Sequence, residues 1–297
     1  MLNIVTIHAI RKTPSLSKNL KTLLLSQAIS DLGVGLLVQP IFVAQLVVES
    51  TQDNESSNSY NVIYIARLIT TSFFYFATLL IVIVLCAERF ASIHFYLRYQ
   101  ELTTYRRVVA VVVSIWVFSG LISLIRLFIS KKIMYLVFGV IDSACVTAAS
   151  FFSARIYLSV RRHLNEVHGG HLQVQPASHD GQMASVLRLR KFAIMVIYVY
   201  LVLVLCYLPD ICLLLVNAFT PGSSTVTNNL LYYTMTLAFL NSSLNPLIYC
   251  WRLKHIRHTT NSILRNAFSK HNWAGNFQNI PAVNKTTLKS DLTKHKT

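Results

Sequence analysis

The chain has 297 residues, 54% of them hydrophobic and 13% charged, with a mean hydropathy of +0.50. Soluble domains carry about 25% charged residues, so a soluble globular class is excluded and a polytopic membrane protein is indicated. The formal charge of +16 arises from 27 Lys and Arg against 11 Asp and Glu. These cations lie in the stretches between apolar spans, where membrane topology places them, and not in a soluble basic domain that would bind nucleic acid.

Crossing a bilayer as a helix takes about 20 apolar residues. Residues 1–10 are apolar over about half that length and stop at Arg11-Lys12, so they read as the inner half of a first helix. Full-length spans are predicted at 20–47, 60–86, 107–129, 133–160, 192–219 and 230–251. After them, 252–268 mixes Leu253, Ile256, Ile263 and Leu264 with basic residues and predicts a short amphipathic helix on the membrane surface. The stretch 164–185 is rich in His, Gln and Gly and reads as a flexible loop, and 270–297 is polar and basic, which predicts a disordered tail. The expected organisation is a helical domain over 1–269 followed by that tail.

Charge sets the orientation. Arg11, Lys12, Lys18, Lys21, Arg98, Arg106, Arg107, Arg161, Arg162, Arg188, Arg190, Lys191, Arg252, Lys254 and Arg257 fall on one side. The other side carries Glu49, Asp53 and Glu55, with Lys131 and Lys132 as its only cations. The basic side is therefore cytoplasmic, with the C-terminus inside. Asn54-Glu55-Ser56 is a glycosylation sequon on the outer side. All five cysteines (Cys86, Cys145, Cys206, Cys212 and Cys250) lie in apolar spans, so no disulfide framework is legible.

Four features inside the spans carry the functional signal. Asp31 is a carboxylate in the middle of an apolar span, an expensive placement rarely kept without a use. Glu88-Arg89-Phe90 ends the next span; Cys206-Tyr207-Leu208-Pro209 and Asn245-Pro246-Leu247-Ile248-Tyr249 each put a kinking proline inside a later one. In this order, over almost the whole chain, they resemble the rhodopsin-like G-protein-coupled receptors. The resemblance implies an all-α seven-transmembrane bundle with a truncated first helix, lying in the plasma membrane.

It also implies roles for named residues. Asp31, with Thr78, Asn241, Ser242 and Asn245, matches the positions that hold an allosteric sodium ion. Without an ion, Asp31 would be protonated or hydrogen-bonded to Asn245. Glu88 restrains Arg89 at rest, and the freed arginine contacts a heterotrimeric G protein; Phe90 stands third in that triplet. Many relatives tie this arginine to a second acid as well, and Leu189 occupies the matching position, so a loosened resting state with basal activity is expected. Tyr207 replaces the usual tryptophan beside Pro209, Pro246 lets the last helix bend, and Tyr249 swings to meet Tyr157 in the active state. Trp116 packs, and Trp251 with Ile256 docks the surface helix. The first-helix asparagine of the family and an outer amino-terminal tail are missing by this reading. Leu97, Arg161, Arg162 and Lys191 would contact the G protein. Thr286, Thr287 and Ser290 are candidate phosphorylation sites for a receptor kinase, leading to arrestin.

Departures narrow the group. Tyr64 stands where relatives have a disulfide cysteine, the second outer loop is only Ser130-Lys131-Lys132, and Ala149 replaces a proline. This architecture looks like the melanocortin receptors and, more loosely, their adenosine, cannabinoid and lysolipid relatives. The ligand does not transfer: Ile41, Tyr64 and Leu68 replace the melanocortin acids, and Leu214 the adenosine amide. Thr71 replaces the aminergic acid and Phe239 the opsin lysine. The upper bundle offers Arg67, Thr71, Phe74, Tyr75, Arg126, Asp142, Asp210, Tyr232 and Tyr233 as ligand contacts. Asp142 and Asp210 either bind a cationic group or pair with Arg67 or Arg126. A non-signalling decoy is the competing reading. A transporter would need inverted repeats, which are not visible, and no nucleotide loop, metal cluster or catalytic triad suggests an enzyme.

Overall fold

A computed structural model describes residues 2–14, 16–51, 58–95, 98–168, 179–220, 225–253, 256–262 and 265. The long elements are helices α1 (Leu2–Lys12), α2 (Lys18–Gly33), α3 (Gln39–Thr51), α4 (Asn58–His94), α5 (Tyr99–Leu102), α6 (Tyr105–Ile125), α7 (Lys131–His168), α8 (His179–Phe219) and α9 (Thr225–Arg252). A π-helical turn, Val34–Val38, joins α2 and α3 into one rod. Counted as rods, and leaving aside the one-turn α5 and the short helical stretch 256–262, the described residues form seven: α1, α2–α3, α4, α6, α7, α8 and α9. All-α membrane architecture is thus what the chain builds. Residues 18–50, 60–94, 105–125, 131–162 and 189–219 are each long and apolar enough to cross a bilayer. The 28 residues of α9 reach about 42 Å, also enough to span, although asparagines and serines dilute its apolar character. At 11 residues α1 reaches about 16 Å, half a bilayer core, as expected for a short first helix.

Local chemistry explains the boundaries. Ser17 caps α2, its hydroxyl accepting from the Leu20 amide at 3.3 Å. The π turn lies just before Pro40, which has no N–H to donate and whose ring crowds the preceding turn. The Gln39 amide answers by reaching five residues back to the Val34 carbonyl. Lys131 and Lys132, expected in a loop, open α7 instead. Beyond α9, residues 256–262 are helical with Ile256 fully buried, which agrees with a surface helix over that part.

The central rod is α4, which touches α2, α3, α6, α7 and α8. Its inner face (Ala77, Ile81, Val82, Leu85) joins Leu20, Leu23 and Leu24 of α2 and Met195, Val199 and Leu203 of α8 in the main core. Phe128, Leu205 and Phe219 turn their apolar surface outward, as lipid as solvent allows. Gly33 permits the α2–α4 contact, because the Phe74 ring occupies the space a Cβ would need. Gly33→Ala is expected to cost about 1–3 kcal/mol by overpacking, read as a lowered melting temperature of the purified protein. An unchanged value would show that Phe74 moves aside freely.

Candidate functional site

Polar side chains gather at three levels of the bundle. At mid-depth Asp31, 1% exposed, takes Asn245 Nδ2 at 3.0 Å on one oxygen and Gln27 Nε2 at 3.3 Å on the other. Ser242 lies beside the same carboxylate. The Ser30 and Thr78 hydroxyls bond one another at 2.9 Å. Around this centre Gln27 Oε1, Asn241 Oδ1, Ser242 Oγ, Asn245 Oδ1 and the Tyr249 hydroxyl are buried without a hydrogen-bond partner. One carboxylate ringed by spare neutral oxygens is a donor set that suits a hard monovalent cation. It does not suit a transition metal, and among the described residues no cluster of three His, Cys, Asp or Glu exists. Asn3 of α1 donates to the Ser242 carbonyl at 3.2 Å, so a first-helix asparagine is present after all and ties α1 to α9. Sequence reading missed it because its partner is a backbone carbonyl, which no side-chain pattern reports.

At the end of the bundle where α4 stops, Arg89 and Glu88 form a forked ion pair through two guanidinium nitrogens. Both are nearly sealed, at 2% and 5% exposure, and this is the only ion pair among the described residues. Tyr99 of α5 donates to Glu88 and in turn accepts from Asn19 Nδ2 at 3.4 Å, and Asn19 also donates to the Thr103 carbonyl at 2.8 Å. Burial, then the Glu88 charge, pushes the Tyr99 hydroxyl up to about 12, so it stays a donor throughout the physiological range. Phe90 stacks on His94 with centroids 5.1 Å apart, and the Arg155 guanidinium lies 5.6 Å from its centre. Arg252 lies 4.6 Å from the Tyr198 ring of α8 and 5.0 Å from the Trp251 ring of α9. Trp251 is 61% exposed, so Leu253 and the fully buried Ile256 do the docking expected of Trp251. Tyr249 is fully buried with its hydroxyl unpartnered, while Tyr157 is 56% exposed, so the two hydroxyls are not bonded to each other here.

On the outer side of the mid-depth centre, Tyr207, two residues before Pro209, packs at a tilt on Tyr75 with centroids 4.4 Å apart. Together they floor a small apolar cavity of about 20 Å³, room for roughly one water, lined also by Val34, Val38, Thr71, Met235, Ala238 and Phe239. Above it Arg67 is held by Gln45 Oε1 and by Met235 Sδ at 3.3 Å. Gln45 passes the contact to Glu49 at 2.7 Å, which also accepts from Tyr232 at 2.8 Å and Tyr60 at 3.2 Å. Across the bundle Arg126 donates to Ser72 and to Met134 Sδ at 3.1 Å, and its guanidinium lies 5.0 Å from the centre of the Phe138 ring. Asp210 accepts from Thr234 at 2.9 Å, and Asp142 keeps Oδ1 without a partner. The alternative in which the aspartates pair directly with the arginines is therefore not realised.

Two pocket candidates are corrected. Tyr233 is 71% exposed and points away from the bundle, because consecutive helical positions differ by about 100° and Tyr232 takes the inward one. Phe74 packs against Phe73 and Trp116 at the α2–α6 side, centroids 5.0 and 6.2 Å away, and does not line the cavity. Trp116 packs as expected and also donates to Ser26 at 3.0 Å. Unforeseen members are Gln27, Gln45, Glu49, Ser72, Tyr99 and Met235. For Gln27 and Gln45 a signal existed, since each precedes an acid by one helical turn. The sequon Asn54, Leu97 and the tail sites Thr286, Thr287 and Ser290 lie outside the described residues.

A buried carboxylate cage at mid-depth and an arginine held by its neighbouring acid at one end define a helical membrane receptor architecture. The family described as 7 transmembrane receptor (rhodopsin family) matches residues 2–138 and 129–249, and the chain belongs to it. Its relatives include an Adenosine receptor A3 of Ovis aries, 23% identical, with 89% of this chain and 84% of the relative covered. A Melanocortin receptor 3 of Rattus norvegicus is also 23% identical, over 89% of this chain and 81% of the relative. Adenosine receptor A2a of Canis lupus familiaris reaches 30% identity, over 38% of this chain and 26% of the relative.

Proposed function

We propose that this chain is a plasma-membrane receptor that transmits the binding of an extracellular ligand to a heterotrimeric G protein. The observation that carries the reading is the sealed Glu88–Arg89 pair, capped by Tyr99, with no second acid on the arginine among the described residues. A ligand acts by binding one arrangement of the bundle better than the other. Release of Arg89 would open a surface for the G protein, with Arg161, Arg162 and Lys191 beside it. Tyr249 and Tyr157 would meet in that arrangement, with Tyr207, Pro209 and Pro246 as the moving parts. The relatives' names divide between adenosine and melanocortin, and the replaced residues Ile41, Tyr64, Leu68 and Leu214 favour neither ligand.

Asp31, Thr78, Asn241, Ser242 and Asn245 would hold a sodium ion at mid-depth, favouring the resting arrangement. The test is G-protein activation in membranes from cells expressing the chain, with sodium exchanged for N-methylglucamine. Basal activation should rise several-fold on exchange in the wild type, and Asp31→Asn should lose the dependence. An equal response in Asp31→Asn would reject the ion site. Good surface expression with no activation at all would favour the decoy reading.

The stack of Arg252 between α8 and α9 stands where it can hold those helices together in place of the missing acid at Leu189. A cation–π contact of this kind contributes about 0.5–2 kcal/mol. Arg252→Ala is therefore expected to raise basal activation about two- to thirtyfold, whereas Arg252→Lys should raise it less. An unchanged basal level would remove the latch. Glycosylation at Asn54 and kinase and arrestin engagement of the tail complete the proposal.

A further inference from the structure

We propose that the outer end of the bundle, above the small apolar cavity, takes a small zwitterion, its acidic group between Arg67 and Arg126 and its protonated amine against Asp142. This rests on the receptor reading for its use, but the binding it asserts is independent of coupling. Four ionisable groups share this level, with Arg126 in electrostatic range of Arg67, Asp142 and Asp210. Opposite charges brought into a bilayer interior normally pair directly. Here no ion pair forms among them, since the only one in the described residues is Glu88–Arg89.

Neutral side chains hold the charges in place instead. Gln45 and Met235 fix Arg67, while Ser72 and Met134 fix Arg126. An arginine has five N–H donors, and these contacts use two on each. The remaining donors suit a carboxylate or phosphate, which arginine binds in a fork. Asp142 is 1% exposed, with one oxygen lacking any partner. A second acid, Asp210, stands within electrostatic range of it, so the surroundings favour an added cation there. The Thr71 and Tyr75 hydroxyls are likewise buried without partners and line the cavity below. Met235 both contacts Arg67 and lines that cavity, so the ligand's apolar part would lie against it. The cavity is about 20 Å³, which restricts that part to about one methylene group unless Tyr207 moves.

The experiment uses the purified full chain in nanodiscs. Its melting temperature is read with a series of ω-amino acids from glycine to 6-aminohexanoate, and with fatty acids and alkylamines of the same lengths. At least one ω-amino acid should raise the midpoint by about 3 °C at ten times its dissociation constant, more than its matched acid or amine. Arg126→Gln and Asp142→Asn should each remove the shift. Arg126→Lys and Asp142→Glu keep the charges and should retain part of it, which guards against variants that merely misfold. A shift given equally by the plain acid and indifferent to Asp142 would overturn the zwitterion in favour of a simple anion. No shift from any compound, or one that survives both substitutions, would overturn the site. Basal activation measured on the same wild-type chain, and its loss in Arg89→Ala, separates a failure of this pocket from a failure of the receptor reading.

Discussion

Arg89→Ala is expected to abolish G-protein activation without reducing surface expression, and Glu88→Gln is expected to raise basal activation about tenfold or more. The two have opposite signs because the pair has two jobs. At rest Glu88 receives both guanidinium contacts and the Tyr99 hydroxyl. Removing the negative charge leaves Arg89 buried beside a neutral amide. Breaking one side of a buried pair costs about 3–5 kcal/mol, and that cost falls on the resting arrangement alone if Arg89 leaves the pair on activation. Each 1.4 kcal/mol shifts the two populations about tenfold, so even partial relief by Gln gives a readable change. Removing Arg89 instead deletes the group that would meet the G protein. Tyr99→Phe should resemble Glu88→Gln more weakly, since it takes away one hydrogen bond and no charge. Activation measured at matched surface expression checks all three. Signalling by Arg89→Ala at the wild-type level would remove the switch altogether.

What the sequence made legible follows from physics that is local. Runs such as 107–129 are apolar over the thickness of a bilayer, so their helices could be read off directly, with α6 ending four residues earlier than expected at Ile125. Asp31, Arg89 and Asn245 stood out because each is a costly residue in an apolar or proline-kinked context. What escaped depended on rotation about a helix axis. Tyr232 and Tyr233 are chemically alike, and only packing decides that the first bonds Glu49 while the second faces outward. Asn3 was invisible for a different reason: its partner is a backbone carbonyl, at Ser242, which no side-chain pattern reports. The fate of Arg126 was also beyond pattern, since a serine and a methionine took the place that one of the two open readings gave an aspartate. The π turn before Pro40 could be anticipated as a kink but not as a widened turn facing the cavity through Val34 and Val38.

The mid-depth pair gives the second large effect, and here the informative result is a rescue. Asn245→Ala is expected to cost about 1–3 kcal/mol or more, because it strips the better donor from a buried carboxylate and leaves Gln27 at 3.3 Å to hold it alone. Surface expression should fall accordingly. Asn245→Asp should be worse, since it sets two acids against each other in a space that a neutral amide now fills. Combining Asn245→Asp with Asp31→Asn restores one acid and one amide across the same 3.0 Å contact, with the donor now on α2 and the acceptor on α9. If that contact is what holds α2 to α9, the double variant should recover most of the melting temperature lost by Asn245→Asp, a coupling of about 1–3 kcal/mol between the sites. The surrounding donors need not change sides, because Gln27 can turn its amide and the Ser242 hydroxyl can rotate. Strictly additive losses would mean that the two residues act separately. Stability at this level would then come from the wider ring of Asn241, Ser242 and Asn3, and the polar centre would be better understood as a cage than as a pair.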